Sequence, residues 1–145
     1  MIALIQRVLD ASVVIDNEIV AEIGPGLLAL VGIEKTDSDQ LVTRFSEKML
    51  RYRVFADADD RMNLNVMQRD GGVLLVPQFT LAADTSKGLR PSFNGAPPEE
   101  ASRLFNAVVT EVGAIYKKPE TGRFGADMKV RSCNDGPVTF WLQTG

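Results

Sequence analysis

The stretch Leu27–Ile33, with the sequence LLALVGI, decides the fold that this chain is expected to adopt. It is a continuous apolar run without a charged residue, and such a run is typical of a strand buried on both faces of a sheet. Gly24-Pro25-Gly26 forms a firm break in front of it. Val73–Val76 has the same character, so the sequence predicts two buried strands.

Further strands and two helices are predicted outward from these runs. The other strands are expected at Ile2–Val8, at Ser12–Ile15, in a short segment that ends at Ile23, at Gly122–Arg131 and at Val138–Leu142. Apolar residues on one helical face predict a first helix through Leu41, Phe45, Met49 and Tyr52, and a second through Ala101, Leu104, Phe105, Val108, Val112 and Ile115. Proline is favoured at the first position of a helix, and Pro97-Pro98 opens the second one.

Strands outnumber helices, and each predicted helix lies between strands. The expected fold class is therefore α/β, with a mixed sheet or half-barrel and two main helices packed on it. A length of 145 residues fits a single domain, residues 1–145. A domain of this size can bury enough apolar surface to fold without a disulfide or a metal.

The composition excludes several chemistries. The chain has no histidine, which is the usual general base near neutral pH and the commonest metal ligand. A Ser-His-Asp or Cys-His mechanism is therefore impossible within it, and neither a metal ion nor a cofactor is expected. The single cysteine, Cys133, cannot form an internal disulfide. Met1–Val8 is no secretory signal and no apolar run is long enough to span a bilayer, so a cytoplasmic location without a membrane partner is expected.

The charge pattern leaves two readings open. A net charge of −3 argues against a protein that coats nucleic acid through a broad basic field, and DNA is not expected as a partner. Basic side chains still cluster at Arg44, Lys48, Arg51 and Arg53, and again at Lys117, Lys118, Lys129 and Arg131. Each cluster is either solvated surface charge or a means of gripping one end of an RNA.

Gly136-Pro137 is the first candidate for a functional role. A proline inside a strand region belongs at an edge, a bulge or the first position, so the simplest interpretation is a turn at the start of a strand. The alternative is that the pair presents rigid main chain without a side chain to a ligand, and thereby rejects a substituent sterically.

Pro77-Gln78-Phe79-Thr80 is the second candidate, because a buried strand here runs into the long polar stretch Ala82–Pro98. Successive backbone N–H groups at such a strand end can stabilise an oxyanion. Thr80 is either a nucleophile or a hydrogen-bonding hydroxyl. A threonine nucleophile needs a nearby base, and no histidine can supply one.

Several segments in the same order resemble the D-aminoacyl-tRNA deacylases of the bacterial and eukaryotic D-tyrosyl-tRNA deacylase type. The segments that carry this resemblance are MIALIQRV (1–8), MNLNV (62–66), QFTLAADTSKGLRPSF (78–93), TGRFGADM (121–128) and NDGPVTFWL (134–142). They span essentially the whole chain. The family motif NxGPVT is complete at Asn134–Thr139, and the family motif SQxTL is matched from Gln78 onward.

The resemblance implies hydrolysis of the ester that joins a D-amino acid to the terminal adenosine of tRNA, with mischarged glycyl-tRNA as a second substrate. It also implies a homodimer with two sites at the interface. In the family a cis Gly-Pro pair from one subunit enters the site of the other and rejects L-amino acids. The expected partners are thus the aminoacylated 3′ end of tRNA and a second copy of the chain.

The family's functional residues carry over to matching positions. Gly136 and Pro137 would be the chiral selector. The main chain of Phe79 and Thr80 would contact the oxyanion or the amino group, supported by Gln78 and the Thr80 hydroxyl. Three further residues would bind substrate: Phe124 and Met128 would line the pocket for the terminal base, and Arg7 would lie near the Gly-Pro pair.

One departure affects the expected mechanism. The family motif usually begins with serine, and this chain has Pro77 there. Either Thr80 acts as the nucleophile, or the enzyme supplies none and the adjacent ribose hydroxyl of the RNA assists water. A third possibility is a non-catalytic paralogue that only binds tRNA ends. A dimeric scaffold without an RNA ligand is the simplest alternative.

Overall fold

The computed structural model describes residues 1–145 and contains one main sheet. The strands of this sheet are β1 (Ile2–Ile15), β2 (Glu18–Ile23), β3 (Gly26–Gly32), β6 (Gly72–Pro77), β9 (Glu120–Thr121) and β10 (Lys129–Gln143). Two short hairpins lie outside it, formed by β4 (Phe55–Ala56) with β5 (Met62–Leu64) and by β7 (Ala83–Asp84) with β8 (Ser92–Phe93). The helices are α1 (Val42–Arg51) and α2 (Pro98–Ile115).

The sheet is mixed and nearly closed into a barrel. Its strand order is β10-β1-β3-β6-β9, and β2 pairs with the second half of β1. The β3–β6 and β6–β9 pairs are parallel, whereas β1 is antiparallel to all three of its neighbours. Because β2 also contacts β6 and β9, the strongly bent β1 brings the two ends of the sheet together.

Two hydrophobic clusters lie on opposite faces of the central strands. The larger one joins both helices to the sheet through residues such as Phe45 of α1, Leu104 of α2 and Ala29 of β3. The smaller one fills the barrel side and includes Leu28 and Leu74. Neighbouring residues of β3 thus point into different clusters, which explains why its apolar run is continuous rather than alternating.

The structure confirms the α/β fold class, the two helices and the buried strands at 27–33 and 73–76. The predicted strands at Ile2–Val8 and Ser12–Ile15 form the single strand β1. Tyr52 lies outside the first helix, since α1 ends at Arg51 and the backbone of Tyr52 is extended. No helix in residues 1–145 is long and apolar enough to cross a membrane.

The prediction of a strand over Gly122–Arg131 was wrong for most of its length. The short β9 ends at Thr121, and the next strand begins only at Lys129. Between them the N–H of Gly122 donates to Leu75, and Gly125 has a φ of +80°, so the chain turns away from β6. Residues 122–128 form a loop because no neighbouring strand remains to pair with them.

Candidate active site

A cavity of about 620 Å³ lies at the carboxyl ends of the parallel strands β3 and β6. Ligands of sheets with parallel strands usually bind at this end, where the loops diverge. The cavity is lined by Val31, Ile33, Lys35, Pro77, Phe79, Phe93, Asn94, Gly95, Ala96, Pro97, Pro98, Ala101, Phe105, Phe124 and Gly125. We call it the main cavity. Its mostly apolar wall and its size suit a small organic ligand.

The segment Gln78–Thr80 lies at the rim of the main cavity. β6 ends at Pro77, and a 3₁₀ turn over Phe79–Ala82 follows it directly. The backbone N–H of Gln78 donates to Val31 at 2.8 Å, which ties this end of β6 to β3. The first N–H groups of a helical turn have no acceptor within that turn, so the amides of Phe79 and Thr80 can donate to a ligand.

The side chains of this segment have separate partners. The side-chain carboxamide nitrogen of Gln78, Nε2, donates to the Thr80 hydroxyl. The ring of Phe79 is 60% exposed and meets the ring of Phe93 at a centroid distance of 5.3 Å, in a tilted arrangement. The long polar stretch Ala82–Pro98 therefore returns to the site through the β7–β8 hairpin and contributes one wall of the main cavity.

Gly136-Pro137 forms the exposed tip of a bulge within β10. The register of β10 on β1 shifts opposite Arg7, where Gln6 pairs with Thr139 and Val8 pairs with Asn134. The Gly136-Pro137 peptide bond is cis and Gly136 has a φ of +137°. The expectation of a simple turn at the start of a strand was wrong, because β10 continues on both sides of this Gly-Pro tip.

Three side chains hold the bulge in place. The carboxamide oxygen of Asn134 accepts the N–H of Val138 at 2.7 Å, and its nitrogen donates to Thr139 at 3.0 Å. The guanidinium of Arg7 donates to the Asp135 carbonyl at 3.0 Å and to the Val54 carbonyl at 2.7 Å. Arg7 thus fixes the backbone directly before Gly136 and ties it to the segment after α1.

The Gly-Pro tip and the main cavity of one chain lie apart. β1 and β3 separate β10 from β6, so roughly 14 Å of sheet lies between these two strands. No residue of β10 lines the main cavity. The structure therefore does not bring the Gly-Pro tip to Gln78–Thr80 within one subunit.

Phe124 and Met128 lie at different depths. Phe124 lines the main cavity, whereas Met128 is not part of its lining. Met128 packs into the smaller hydrophobic cluster, and its Sδ would lie 2.7 Å from a Cβ added at Gly122. The same Cβ would lie 3.4 Å from Cδ of Pro77, so Gly122 leaves room for both side chains. Met128 therefore supports this wall from behind.

The sequence prediction missed several cavity residues. Lys35 brings the one charged side chain of the lining, and Asn94 brings a carboxamide. Nothing in the local pattern singles these residues out, since each follows a strand in a polar segment. Their position depends on how the loops return to the carboxyl ends of β3 and β6.

No side chain with a shifted pKa titrates near neutrality. Hydrogen bonds lower the pKa of four carboxyls, and two cations have a raised pKa; the groups are Asp39, Asp57, Asp84 and Glu100, and Arg103 and Lys117. Asp84, which follows the site segment, has its pKa lowered by the hydroxyl and the N–H of Ser86. No group of three or more potential metal ligands lies together. The site thus offers backbone donors and an apolar cavity rather than a tuned base.

These features are those of a small α/β protein with a mostly apolar cavity at the carboxyl ends of two parallel strands. The family model for D-Tyr-tRNA(Tyr) deacylase matches residues 4–143, and the chain belongs to this family. It is an aminoacyl-tRNA ester hydrolase of the D-aminoacyl-tRNA deacylase type.

Curated relatives agree with this assignment over the full length. The D-aminoacyl-tRNA deacylases of Yersinia enterocolitica and Yersinia pestis are 60% and 59% identical to it over 144 residues, which is 99% of this chain and of each relative. This leaves the non-catalytic alternatives without support.

Two solved structures share the fold of this chain over nearly its full length. The c-Myc DNA Unwinding Element Binding Protein is 35% identical, with a TM-score of 0.96 over 100% of this chain and 99% of its own. A probable eukaryotic D-amino acid tRNA deacylase is 15% identical, with a TM-score of 0.81 over 97% of both chains. At that identity the second match concerns the fold alone.

Proposed function

We propose that the chain removes D-amino acids, and glycine, from the 3′ end of tRNA in the cytoplasm, using backbone amides at Phe79 and Thr80 and the ribose of the substrate. The observation that carries this proposal is that Phe79, which lines the main cavity, begins the 3₁₀ turn directly after the strand end at Pro77, where the first N–H groups have no acceptor within the turn. The terminal adenine occupies the main cavity, with Phe124 against the base. The ester carbonyl then lies over the amides.

The reaction needs no nucleophile from the protein. Water attacks the ester carbonyl, and the amides of Phe79 and Thr80 stabilise the resulting oxyanion. When the ester bond breaks, the ribose oxygen leaves and takes up the proton that the attacking water loses, so the products are the free amino acid and the tRNA hydroxyl. The ribose hydroxyl next to the ester assists the water. Positioning of an already activated ester supplies much of the remaining acceleration. Pro77 is compatible with this chemistry, because neither the side-chain hydroxyl nor the backbone N–H that it lacks takes part; the donors come from the two amides at Phe79 and Thr80.

A second subunit completes each site in this proposal. The Gly-Pro tip is exposed and lies at the edge strand of the sheet, away from the main cavity of its own chain. In a homodimer it enters the partner's site, where the two residues present main chain and no long side chain. An L-amino acid would direct its side chain into this wall, whereas a D-amino acid or glycine would not.

Deacylation assays with purified protein test the proposal directly. D-tyrosyl-tRNA and glycyl-tRNA are expected to be hydrolysed rapidly and L-tyrosyl-tRNA slowly; equal rates for D and L would overturn the selector role. A D-tyrosyl-tRNA that ends in 2′-deoxyadenosine should react at least about 100-fold more slowly, which is the usual scale of general acid–base assistance. Fast turnover of that substrate would rule out assistance by the ribose.

A further inference from the structure

A second cavity of about 350 Å³ lies beside the segment that links α1 to β4. It is lined by Arg51, Arg53, Asn63, Leu64, Asn65, Met67 and Gln68. We call it the arginine pocket. Its lining has two guanidinium groups and no carboxylate, in a chain whose net charge is −3. Arg51 and Arg53 also belong to the basic cluster that the sequence alone left without a role.

The carboxamides of the arginine pocket have their oxygen atoms occupied. The N–H of Asn65 donates to Oε1 of Gln68 at 2.8 Å, and the N–H of Gln68 donates to Oδ1 of Asn65 at 2.9 Å. Arg53 donates to Oδ1 of Asn63 at 3.2 Å. Because each oxygen faces a donor, the orientation of each carboxamide is determined.

The groups that remain available in the arginine pocket are therefore hydrogen-bond donors. The NH₂ group of Asn63 faces Asp57, whereas those of Asn65 and Gln68 make no hydrogen bond within the chain. Arg51 has one ion pair, with Glu47 at 3.8 Å, which leaves most of its N–H groups free. Donors without acceptors, together with two positive charges, favour a phosphate-like anion.

The arginine pocket is a near neighbour of the Gly-Pro tip. Arg53 directly precedes Val54, whose carbonyl accepts from Nη1 of Arg7 at 2.7 Å. On its other side the same guanidinium binds the carbonyl of Asp135, and its Nη2 would lie 3.2 Å from a Cβ added at Gly136. Arg7 thus links the residue after Arg53 to the residue before Gly136.

We propose that the arginine pocket binds a backbone phosphate near the 3′ end of the substrate tRNA. This inference rests on the proposed function, in which each Gly-Pro tip enters the partner's site. The subunit that supplies the tip then also holds the RNA backbone of the tRNA whose ester lies in the partner's main cavity. The same subunit would supply both the chiral selector and the contact with the RNA backbone.

The test compares Arg51→Gln/Arg53→Gln with the matched control Arg44→Gln. Arg44 is exposed on the same helix and does not line the pocket. The substrates are D-tyrosyl-tRNA over a series of salt concentrations and D-tyrosyl-adenosine, which has no backbone phosphate. Arg51→Gln alone is a second variant, since Arg53 also holds Asn63 and its loss could disturb the loop.

The double variant is expected to raise KM for D-tyrosyl-tRNA about tenfold with little change in kcat. Its plot of log KM against log salt should be flatter by about 0.7 for each phosphate that the variant no longer neutralises. D-tyrosyl-adenosine should be hydrolysed as by the wild type. The single variant should show a smaller effect in the same direction, and Arg44→Gln should show none.

Two results would overturn the inference while leaving the proposed function intact. One is a double variant with unchanged KM and unchanged salt dependence on D-tyrosyl-tRNA. The other is an equal rise in KM for Arg44→Gln, which would indicate a general loss of positive charge. If the wild type fails to hydrolyse D-tyrosyl-tRNA, the proposed function itself is wrong. Filter binding of uncharged tRNA by the same variants then still tests the pocket, and equal affinities would overturn it.

Discussion

The backbone and the side chain of Phe79 have different roles. Its N–H is the first of the 3₁₀ turn and is available to a ligand, whereas its ring packs against Phe93 and lines the main cavity. Gln78, the residue before it, has φ −141° and ψ 84°, which lies outside the helical region that a following proline would exclude. Proline is tolerated at the first position of a helical turn and after an extended residue. This position therefore allows the N–H to be removed by substitution.

Phe79→Pro and Phe79→Ala separate the two tasks. Both variants lack the ring, but only the proline variant also lacks the N–H. We expect Phe79→Pro to lower kcat about 100-fold or more relative to Phe79→Ala, the cost of one oxyanion donor in other hydrolases. Single-turnover deacylation of D-tyrosyl-tRNA measures the difference. Equal kcat values for the two variants would show that the Phe79 amide is not an oxyanion donor.

At the scale of elements, the bulge in β10 converts a regular edge strand into a projecting tip. Asn134 and Thr139 close the bulge, and Arg7 joins it to the chain after α1. Only 17% of the Arg7 side chain is exposed. A forked guanidinium can donate to Asp135 and Val54 at once, which the single ammonium of lysine cannot do in the same geometry.

Arg7→Lys is therefore expected to loosen the Gly-Pro tip without removing the charge. In the proposed mechanism the rate on D-tyrosyl-tRNA should stay within about threefold of the wild-type rate. The rate on L-tyrosyl-tRNA should rise by about tenfold, which corresponds to a loss of about 1.4 kcal/mol in discrimination. The ratio of the two kcat/KM values is the measurement. Arg131→Lys, an exposed change on the same strand as the tip, is the control. An unchanged ratio would show that Arg7 does not position the Gly-Pro tip.

At the scale of the whole molecule, the N-terminus joins both ends of the chain to the core. The amino group of Met1 is fully buried and donates to Asp37 at 2.7 Å, to Glu34 at 3.0 Å and to the Thr144 carbonyl at 2.7 Å. The N–H of Thr144 returns a bond to the Met1 carbonyl at 2.9 Å. The first strand and the end of the last one are thus fastened around one buried charge.

Asp37→Asn is expected to reduce the free energy of unfolding by about 1.5–3 kcal/mol, because it removes the buried one of the two carboxylates that accept from the Met1 ammonium and leaves only Glu34 to pair with it. Urea unfolding followed by circular dichroism measures the loss. Asp39→Asn is the control: it removes an exposed pair with Arg103 that solvent screens, so its effect should be much smaller. Similar losses in the free energy of unfolding for both variants would show that the buried Met1–Asp37 pair stabilises the fold no more than an exposed ion pair does.

The proposed dimer predicts that the Gly-Pro tip of one subunit acts in the site of its partner, which a mixed dimer can test. Subunits with Phe79→Pro are expected to have very low activity, and subunits with Pro137→Gly are expected to hydrolyse D- and L-tyrosyl-tRNA with less discrimination. In a mixed dimer the only active cavity receives an intact tip from its Phe79→Pro partner, so discrimination should return. Differently tagged subunits, co-expressed and purified through both tags, allow the assay. Poor discrimination by the mixed dimer would show that each tip serves its own chain.

The sequence by itself determined the fold class, the two helices and the buried strands, because these follow from the local spacing of apolar residues such as those at 27–33. It also located the two motifs, and it excluded a histidine mechanism. The loop at 122–128 was missed, because a strand exists only where a neighbour pairs with it, and local propensity does not report the neighbour.

Only the tertiary structure decided which distant segments meet. Phe79, Phe93 and Phe124 share one cavity because parallel pairing of β3 and β6 places their loops at the same end of the sheet. The same folding separates the Gly-Pro tip from that cavity and brings Val54, the residue after Arg53, into contact with Arg7. Strand order and register are properties of long-range pairing, which the hydrophobic pattern of a single segment leaves undetermined.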